Sequence, residues 1–167
     1  ASNTGTTMSV LRNTSASGAI DASSFAAKVD FTTGASPVGL AIGDLDGDSR
    51  PDIVTTNAKS TANTISVFRN TSSPWVISSS SFAAKVDFTA GTNPQGLAIG
   101  DLDGDGKLDI VAANLNSSSV SLFRNTSASG VIDASSLAAK VDLATASGPM
   151  RIAVGDLDGD GKPELAV

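Results

Sequence analysis

The hexapeptide Gly-Asp-Leu-Asp-Gly-Asp begins at Gly43 and recurs at Gly100 and Gly155. A second string, Arg-Asn-Thr-Ser, recurs with the same two offsets, 57 and then 55 residues. Self-similarity at a fixed period of this length is typical of an array of equivalent structural units. We therefore predict a single half-propeller domain of 167 residues with three repeats, residues 1–57, 58–112 and 113–167.

Short strand-like segments surround the hexapeptide. The predicted strands A, B, C and D are residues 39–43, 53–56, 64–68 and 84–88. Strands C and D alternate apolar and polar residues, as half-buried antiparallel strands do. Clusters of Ser, Thr, Asn, Gly and Pro separate the strands, and no segment has a helical period. Four strands in roughly 55 residues predict an all-β fold of four-stranded antiparallel β-propeller blades, three per chain.

Each repeat carries an acidic loop between strands A and B: residues 44–52 (first loop), 101–109 (second loop) and 156–164 (third loop). Alternate carboxylates on a tight loop converge on one point. Such oxygen ligands favour Ca²⁺ over Mg²⁺, because a flexible loop can fill about six or seven coordination positions. We predict one Ca²⁺ per loop, three per chain, bound by the side chains at positions one, three, five and nine and the backbone carbonyl at position seven: Asp44, Asp46, Asp48, Arg50 and Asp52; Asp101, Asp103, Asp105, Lys107 and Asp109; Asp156, Asp158, Asp160, Lys162 and Glu164.

The sixth position of the loop requires a positive φ, which glycine adopts freely. Ser49 stands there in the first loop, so we expect that site to be the weakest. An EF-hand would place its Glu at position twelve and flank the loop with helices. Here the last acid stands at position nine and predicted strands flank the loop, so the loop is not an EF-hand. Asp-Gly pairs also occur in ordinary hairpin turns, but three copies at one register favour a cation site.

The charge distribution supports the same interpretation. Of the 17 acidic residues, 12 lie in the three loops, and the formal net charge is −6. Without a cation, each loop crowds four negative charges, so we expect Ca²⁺ to contribute to folding. The acidic balance argues against nucleic-acid or anionic-membrane partners, and no apolar run approaches the ~18 residues of a membrane span.

The residues around the first hexapeptide, Ala-Ile-Gly-Asp-Leu-Asp-Gly-Asp at 41–48, resemble the signature of the FG-GAP/VCBS repeat family, the integrin-α-like β-propellers. The resemblance covers the whole chain. It implies four-stranded blades, calcium at the A–B hairpins and an extracellular or cell-surface protein. Family members serve in adhesion, carbohydrate binding or as scaffolds. Such propellers usually contain more blades in one chain than the three repeats found here.

The predicted strand order is C–D, A–B–C–D, A–B–C–D, A–B. The two terminal halves together supply one blade, and the chain holds a whole number of periods. Known propellers have about four to eight blades, so three blades are not expected to close alone. We expect a two-fold homodimer that closes as a six-bladed propeller with two composite blades and six Ca²⁺ ions. A fragment of a longer propeller is the alternative.

Catalysis is not predicted. The chain has no His or Cys, which excludes His-based chemistry, disulfides and Cys- or His-ligated metals. The acids outside the loops recur in the repeat register, which favours structural bonds to the next blade: Asp21, Asp30, Asp87, Asp133 and Asp142.

Trp75 is the best non-repeated candidate for ligand contact, since an exposed indole stacks on sugar rings. The alternative is that it covers a neighbouring apolar patch. Two functions therefore stay open: a calcium-stabilised propeller that self-assembles by strand exchange, and a lectin-like or adhesive module that binds carbohydrate or protein ligands.

Overall fold

A computed structural model describes residues 5–59 and 61–167 of the chain. Within these residues twelve β-strands form, and there is no helix of the length and apolarity needed to cross a membrane. The strands are β1 Thr7–Val10, β2 Val29–Thr32, β3 Pro37–Gly43, β4 Asp52–Asn57, β5 Thr64–Phe68, β6 Val86–Thr89, β7 Pro94–Gly100, β8 Asp109–Asn114, β9 Ser119–Phe123, β10 Val141–Ala144, β11 Ala153–Gly155 and β12 Glu164–Ala166.

The strands pair into four antiparallel sheets. Two are four-stranded, with strands in chain order: β3-β4-β5-β6 and β7-β8-β9-β10. The two others, β1-β2 and β11-β12, have two strands each. In the repeat register β1 and β2 correspond to strands C and D, whereas β11 and β12 correspond to strands A and B. The structure confirms the predicted all-β fold of antiparallel, propeller-like blades.

Strand D begins later than predicted. The ladder between strands C and D starts at the Val67–Val86 pair, so residues 84 and 85 lie outside the strand. Upstream, the chain makes only an isolated bridge between Asn70 and Phe82, and the Ala83 N–H donates to the Arg69 carbonyl. The prediction was wrong at this end because the C–D loop has its own backbone bonds.

Hydrophobic clusters lie between consecutive sheets. The largest joins Val54 and Ile65 of one four-stranded sheet to Ile110 and Phe123 of the other. Smaller clusters join each two-stranded sheet to its neighbour. Because the central strands β4 and β8 are covered on both faces, all their residues are buried. Full burial of one such apolar side chain contributes roughly 1.5–3 kcal/mol.

A polar ladder crosses three strands at one end of each four-stranded sheet. Asn57 of β4 donates to Ser66 Oγ of β5 at 2.8 Å, and Ser66 donates to Asp87 of β6 at 2.5 Å. The same bonds recur in the next sheet, through Asn114, Ser121 and Asp142. The expected structural role of Asp87 is therefore found within its own sheet. The prediction that its bond reaches the next blade was wrong.

The A strands β3, β7 and β11 stand side by side, and glycines permit their close approach. A Cβ on Gly39 would lie 2.4 Å from the Gln95 carbonyl oxygen, and one on Gly96 would lie 2.9 Å from Arg151 Cα. Thr56 joins the same two sheets, because its Oγ1 accepts from the Gly39 N–H and donates to the Gln95 carbonyl. In the third repeat, Arg151 stands at the position that Gly39 and Gly96 occupy in the other two.

Candidate metal centre

Each acidic loop is the turn of an A–B hairpin. The hairpin ladders end at the pairs Gly43–Asp52, Gly100–Asp109 and Gly155–Glu164, so the loop begins and ends at fixed points of a sheet. Three of the four predicted carboxylates in each loop have oxygens within 4.8 Å of one another: Asp44, Asp46 and Asp48; Asp101, Asp103 and Asp109; Asp156, Asp158 and Glu164. The remaining acids, Asp52, Asp105 and Asp160, lie in the same loops outside these groups.

The first carboxylate of each loop shapes the turn. Asp44 accepts the N–H of Ser49 at 2.8 Å, and the equivalent bonds from Gly106 and Gly161 are both 2.9 Å. The sixth residue has a positive φ in every loop: 67° at Ser49, 84° at Gly106 and 86° at Gly161. The expected left-handed conformation is therefore present, and Ser49 adopts it at the usual cost of about 1 kcal/mol for a residue with a side chain.

Positions five and seven are joined by a second bond. The N–H groups of Arg50, Lys107 and Lys162 donate to the carboxylates of Asp48, Asp105 and Asp160 at 2.9, 3.0 and 2.8 Å. The residues predicted to offer a carbonyl ligand therefore lie in the same tight turn as the acids.

The ninth residue anchors the loop to the sheet. Asp52 is fully buried and accepts the N–H of Leu45 at 3.0 Å and that of Asn70 at 2.8 Å. Asp109 makes the same two bonds, with Leu102 and Asn125. Burial raises the pKa of Asp52 to about 6, although the two N–H donors oppose this shift.

Asp46 carries the clearest test of whether these residues fit a cation. Its side chain is 2% exposed, and Oδ2 has no hydrogen-bond partner among the described residues. Burial raises the pKa of Asp46, and the negative charges of Asp48 and Asp44 raise it further. A buried carboxylate oxygen without a partner is costly. A divalent cation among these three carboxylates would supply the missing partner, so the residues fit a hard metal ion.

Arginines also contact the loops, and sequence reasoning missed them. Arg50 pairs with Asp48 at 2.6 Å in the first loop. In the second loop Arg124 bonds to Asp103 at 2.5 Å and Asp105 at 3.3 Å, and this bonding lowers the pKa of Asp103. Arg124 begins the repeated Arg-Asn-Thr-Ser string. The repeat register alone did not identify this role, because Arg69 has the same register and makes no such bond to the first loop among those described.

The C–D loop of the next four-stranded sheet, residues 124–137, covers the first acidic loop. Asn125 Nδ2 and Ser127 Oγ donate to the Leu45 carbonyl at 2.7 and 2.9 Å. The Gly130 N–H donates to the Asp46 carbonyl at 2.9 Å. A cavity of about 140 Å³ remains between the two loops, lined in part by Asp46 and Ser127.

Within residues 5–59 and 61–167, the first acidic loop alone has this cover, and the three loops therefore differ in exposure. Leu45, at the second position of the first loop, is 3% exposed, whereas its counterpart in the third loop, Leu157, is 74% exposed. Leu102 in the second loop is intermediate. Identical sequence motifs therefore lie in three different environments.

Trp75 is 89% exposed within the described residues, and its φ is 67°. The ligand contact predicted for its indole stays a prediction. This exposure gives no support to the alternative, that the indole covers a neighbouring apolar patch. Asp21 and Asp133, the other acids singled out, make local turns with Ser23 and Ser135.

Comparison with curated proteins finds no match. Residues 50–112 and 101–167 match the FG-GAP-like repeat family. Both matched segments contain the whole second acidic loop, residues 101–109, and the second segment also contains the third loop, residues 156–164. Since the two segments together span more than half of the chain, the protein belongs to the FG-GAP-like repeat family.

Proposed function

We propose that this protein is a non-enzymatic, calcium-binding β-propeller module of the extracellular space or cell surface that self-assembles into a closed ring. The observation that carries the calcium assignment is the buried, unpartnered Oδ2 of Asp46 within a group of three carboxylates. Carboxylate and carbonyl oxygens are the ligands that Ca²⁺ prefers, and a loop with four acids suits its high coordination number.

Complementary ends support self-assembly. Strands β1-β2 are the C–D half of a blade and β11-β12 are the A–B half, so each two-stranded sheet contains the strands that the other lacks. A second copy would pair these halves into two composite blades and close a ring of six.

Side-chain packing at the inner strands supports the same assembly. Ile99 of β7 packs onto Gly43 of β3, since a Cβ on Gly43 would lie 2.4 Å from Ile99 Cδ1. Val154 packs onto Gly100 in the same way. Gly155 has no such neighbour within 4 Å among the described residues, while Ile42, the counterpart of Ile99, is 60% exposed. In the proposed dimer the Ile42 of one copy packs onto Gly155 of the other.

A non-catalytic role agrees with the positions of the acids outside the loops. Asp30, Asp87 and Asp142 each bond to a serine of the paired strand and to a lysine two residues earlier. In every repeat, this carboxylate is therefore engaged in a structural hydrogen bond and an ion pair. FG-GAP-like repeats are typical of extracellular proteins, where Ca²⁺ is plentiful.

Calorimetric titration with Ca²⁺ and light scattering test the two parts of the proposal separately. We expect three bound Ca²⁺ per chain, no comparable binding of Mg²⁺, and the mass of a dimer. Absence of Ca²⁺ binding would exclude the calcium assignment, and a monomer mass at high protein concentration would exclude the assembly.

A carbohydrate-binding or adhesive module is the second candidate, because the exposed indole of Trp75 suits stacking on a sugar ring. A glycan array tests it. Binding that Trp75→Ala abolishes would support this candidate, and an array without signal would exclude carbohydrates.

A further inference from the structure

The contact between the first acidic loop and residues 124–137 provides a template for the loops that lack a cover. In that contact, backbone and side-chain groups within residues 124–137 donate hydrogen bonds to the backbone carbonyls of Leu45 and Asp46. Each donor belongs to the C–D loop of the blade that follows. In a ring of equivalent blades every acidic loop would receive the same cover from the blade after it.

Trp75 occupies the position of Gly130 in the preceding C–D loop. Offsets of 57 and 55 residues align Gly18, Trp75 and Gly130. Their φ angles are 81°, 67° and 74°, so the three loops share one backbone conformation at this point. Gly130 is the residue whose N–H bonds to the Asp46 carbonyl. Trp75 therefore presents an equivalent N–H, together with an indole ring that the other two loops lack.

We propose that, in the assembled protein, the C–D loop containing Trp75 of one copy covers the third acidic loop, residues 156–164, of the other copy. This inference rests on the proposed calcium binding and self-assembly. By the template, the Trp75 N–H donates to the Asp158 carbonyl of the second copy, and the indole lies on the loop beside Leu157. The second acidic loop receives residues 12–25 of the partner copy, with Gly18 at the corresponding point.

The exposures of the two surfaces agree with this contact. Leu157 is 74% exposed and Trp75 is 89% exposed, whereas Leu45, whose loop is covered within the chain, is 3% exposed. Joining the two surfaces removes apolar area from water on both copies. Because the cover orders the acidic loop, cation binding at the third loop and association of the two copies strengthen each other reciprocally.

Terbium luminescence tests this contact directly. Tb³⁺ is a hard cation that binds calcium sites and is sensitised only by a nearby aromatic ring. The chain has one Trp and no Tyr, so Trp75 is the one effective sensitiser. We expect emission per chain to rise with protein concentration as the dimer forms, and Asp158→Asn to abolish it.

A matched variant provides a positive control. The double substitution Trp75→Gly with Gly130→Trp moves the indole to the contact that exists within one chain, at a position where an added Cβ meets no atom within 4 Å. We expect this double variant to emit at every protein concentration. Adding Asp46→Asn to it should abolish the emission. This control establishes that an indole in this position sensitises the covered loop.

Three outcomes overturn the inference. Emission that is independent of concentration in the natural sequence, or that survives Asp158→Asn, would place Trp75 beside another loop. A dimer that binds Tb³⁺ without emission, while the control emits, would exclude the contact and leave the proposed function intact. Calorimetry without any Tb³⁺ binding, or a monomer mass, would remove the proposed function and this contact with it.

Discussion

Arg124 donates through Nε to Asp103 Oδ2 at 2.5 Å, so a guanidinium from the end of strand C lies against the second acidic loop. Its NH2 group reaches Asp105 as well, at 3.3 Å. Both carboxylates belong to the predicted ligand set. A metal cation bound as proposed would therefore compete with the Arg124 guanidinium for the same oxygens in this loop.

Replacing Arg124 with glutamine is expected to raise the Ca²⁺ affinity of the second loop a few-fold, because it frees Asp103 and removes a positive charge. Calorimetric titration measures the change. Arg69→Gln is the matched control for the direct bond, since Arg69 has the same register and acts on Asp46 and Asp48 through its charge, without a hydrogen bond to the first loop among those described. Unchanged or weaker binding in the Arg124 variant would show that the arginine does not compete.

Asp46→Asn is expected to have opposite effects on the protein with and without metal. In chelator, it removes a buried negative charge whose Oδ2 has no hydrogen-bond partner among the described residues, so the free energy of unfolding should rise by roughly 1–3 kcal/mol. In Ca²⁺, the variant should lose the stabilisation from the first loop, about 2.7 kcal/mol at a free concentration of 100 Kd. Denaturant unfolding measures both.

Asp158→Asn is the matched control in chelator, because Asp158 is exposed and its neutralisation should change stability little. Equal effects of the two substitutions in chelator would contradict the role given to burial.

Ser49→Gly is expected to stabilise the protein by about 1 kcal/mol, since glycine tolerates the φ of 67° that serine adopts with strain. The Ca²⁺ affinity of the first loop should rise with it. Ser118→Gly relieves a φ of 47° far from any acidic loop, so it should raise the melting temperature without changing Ca²⁺ affinity. If both variants leave calcium binding unchanged, the strain at Ser49 does not limit the site.

Arg151→Gly is expected to tighten the dimer about tenfold or more. A Cβ on Gly39 or Gly96 would lie only 2.4 or 2.9 Å from the neighbouring A strand, so we expect the Cβ of Arg151 to obstruct the equivalent approach of a second copy. Sedimentation across a concentration series measures the dissociation constant. Arg151→Lys keeps the Cβ and should give no gain. A glycine variant that associates no better than the lysine variant would show that strand β11 does not pack against the partner in this way.

The repeat pattern was sufficient to predict the sheets and the acidic hairpins. Strand order and the positive φ at the sixth loop position follow from local sequence, because hairpin partners are close along the chain. Strand ends were predicted less well: β3 begins at Pro37 rather than at residue 39, and the start of strand D depends on bonds between residues 69–70 and 82–83 that leave no pattern of apolar residues.

The cover of the first acidic loop could not be predicted in the same way. Asn125 and Leu45 are separated by 80 residues, and their bond joins a side-chain amide to a backbone carbonyl that any residue possesses. The role of Arg124 also depends on how one hairpin packs beside the next strand. Such contacts depend on tertiary geometry, which the repeat register alone does not define.

Thr56 has a consequence for how nearly identical repeats find their correct order. Its hydroxyl joins Gly39 to Gln95 across the junction between the two four-stranded sheets. The counterpart in the next sheet is Ala113, which has no hydroxyl and cannot make these bonds. Two otherwise interchangeable junctions therefore differ in energy. During folding, an exchange of one repeat for another would leave partly buried backbone groups without these bonds, and this disfavours shuffled arrangements of the blades.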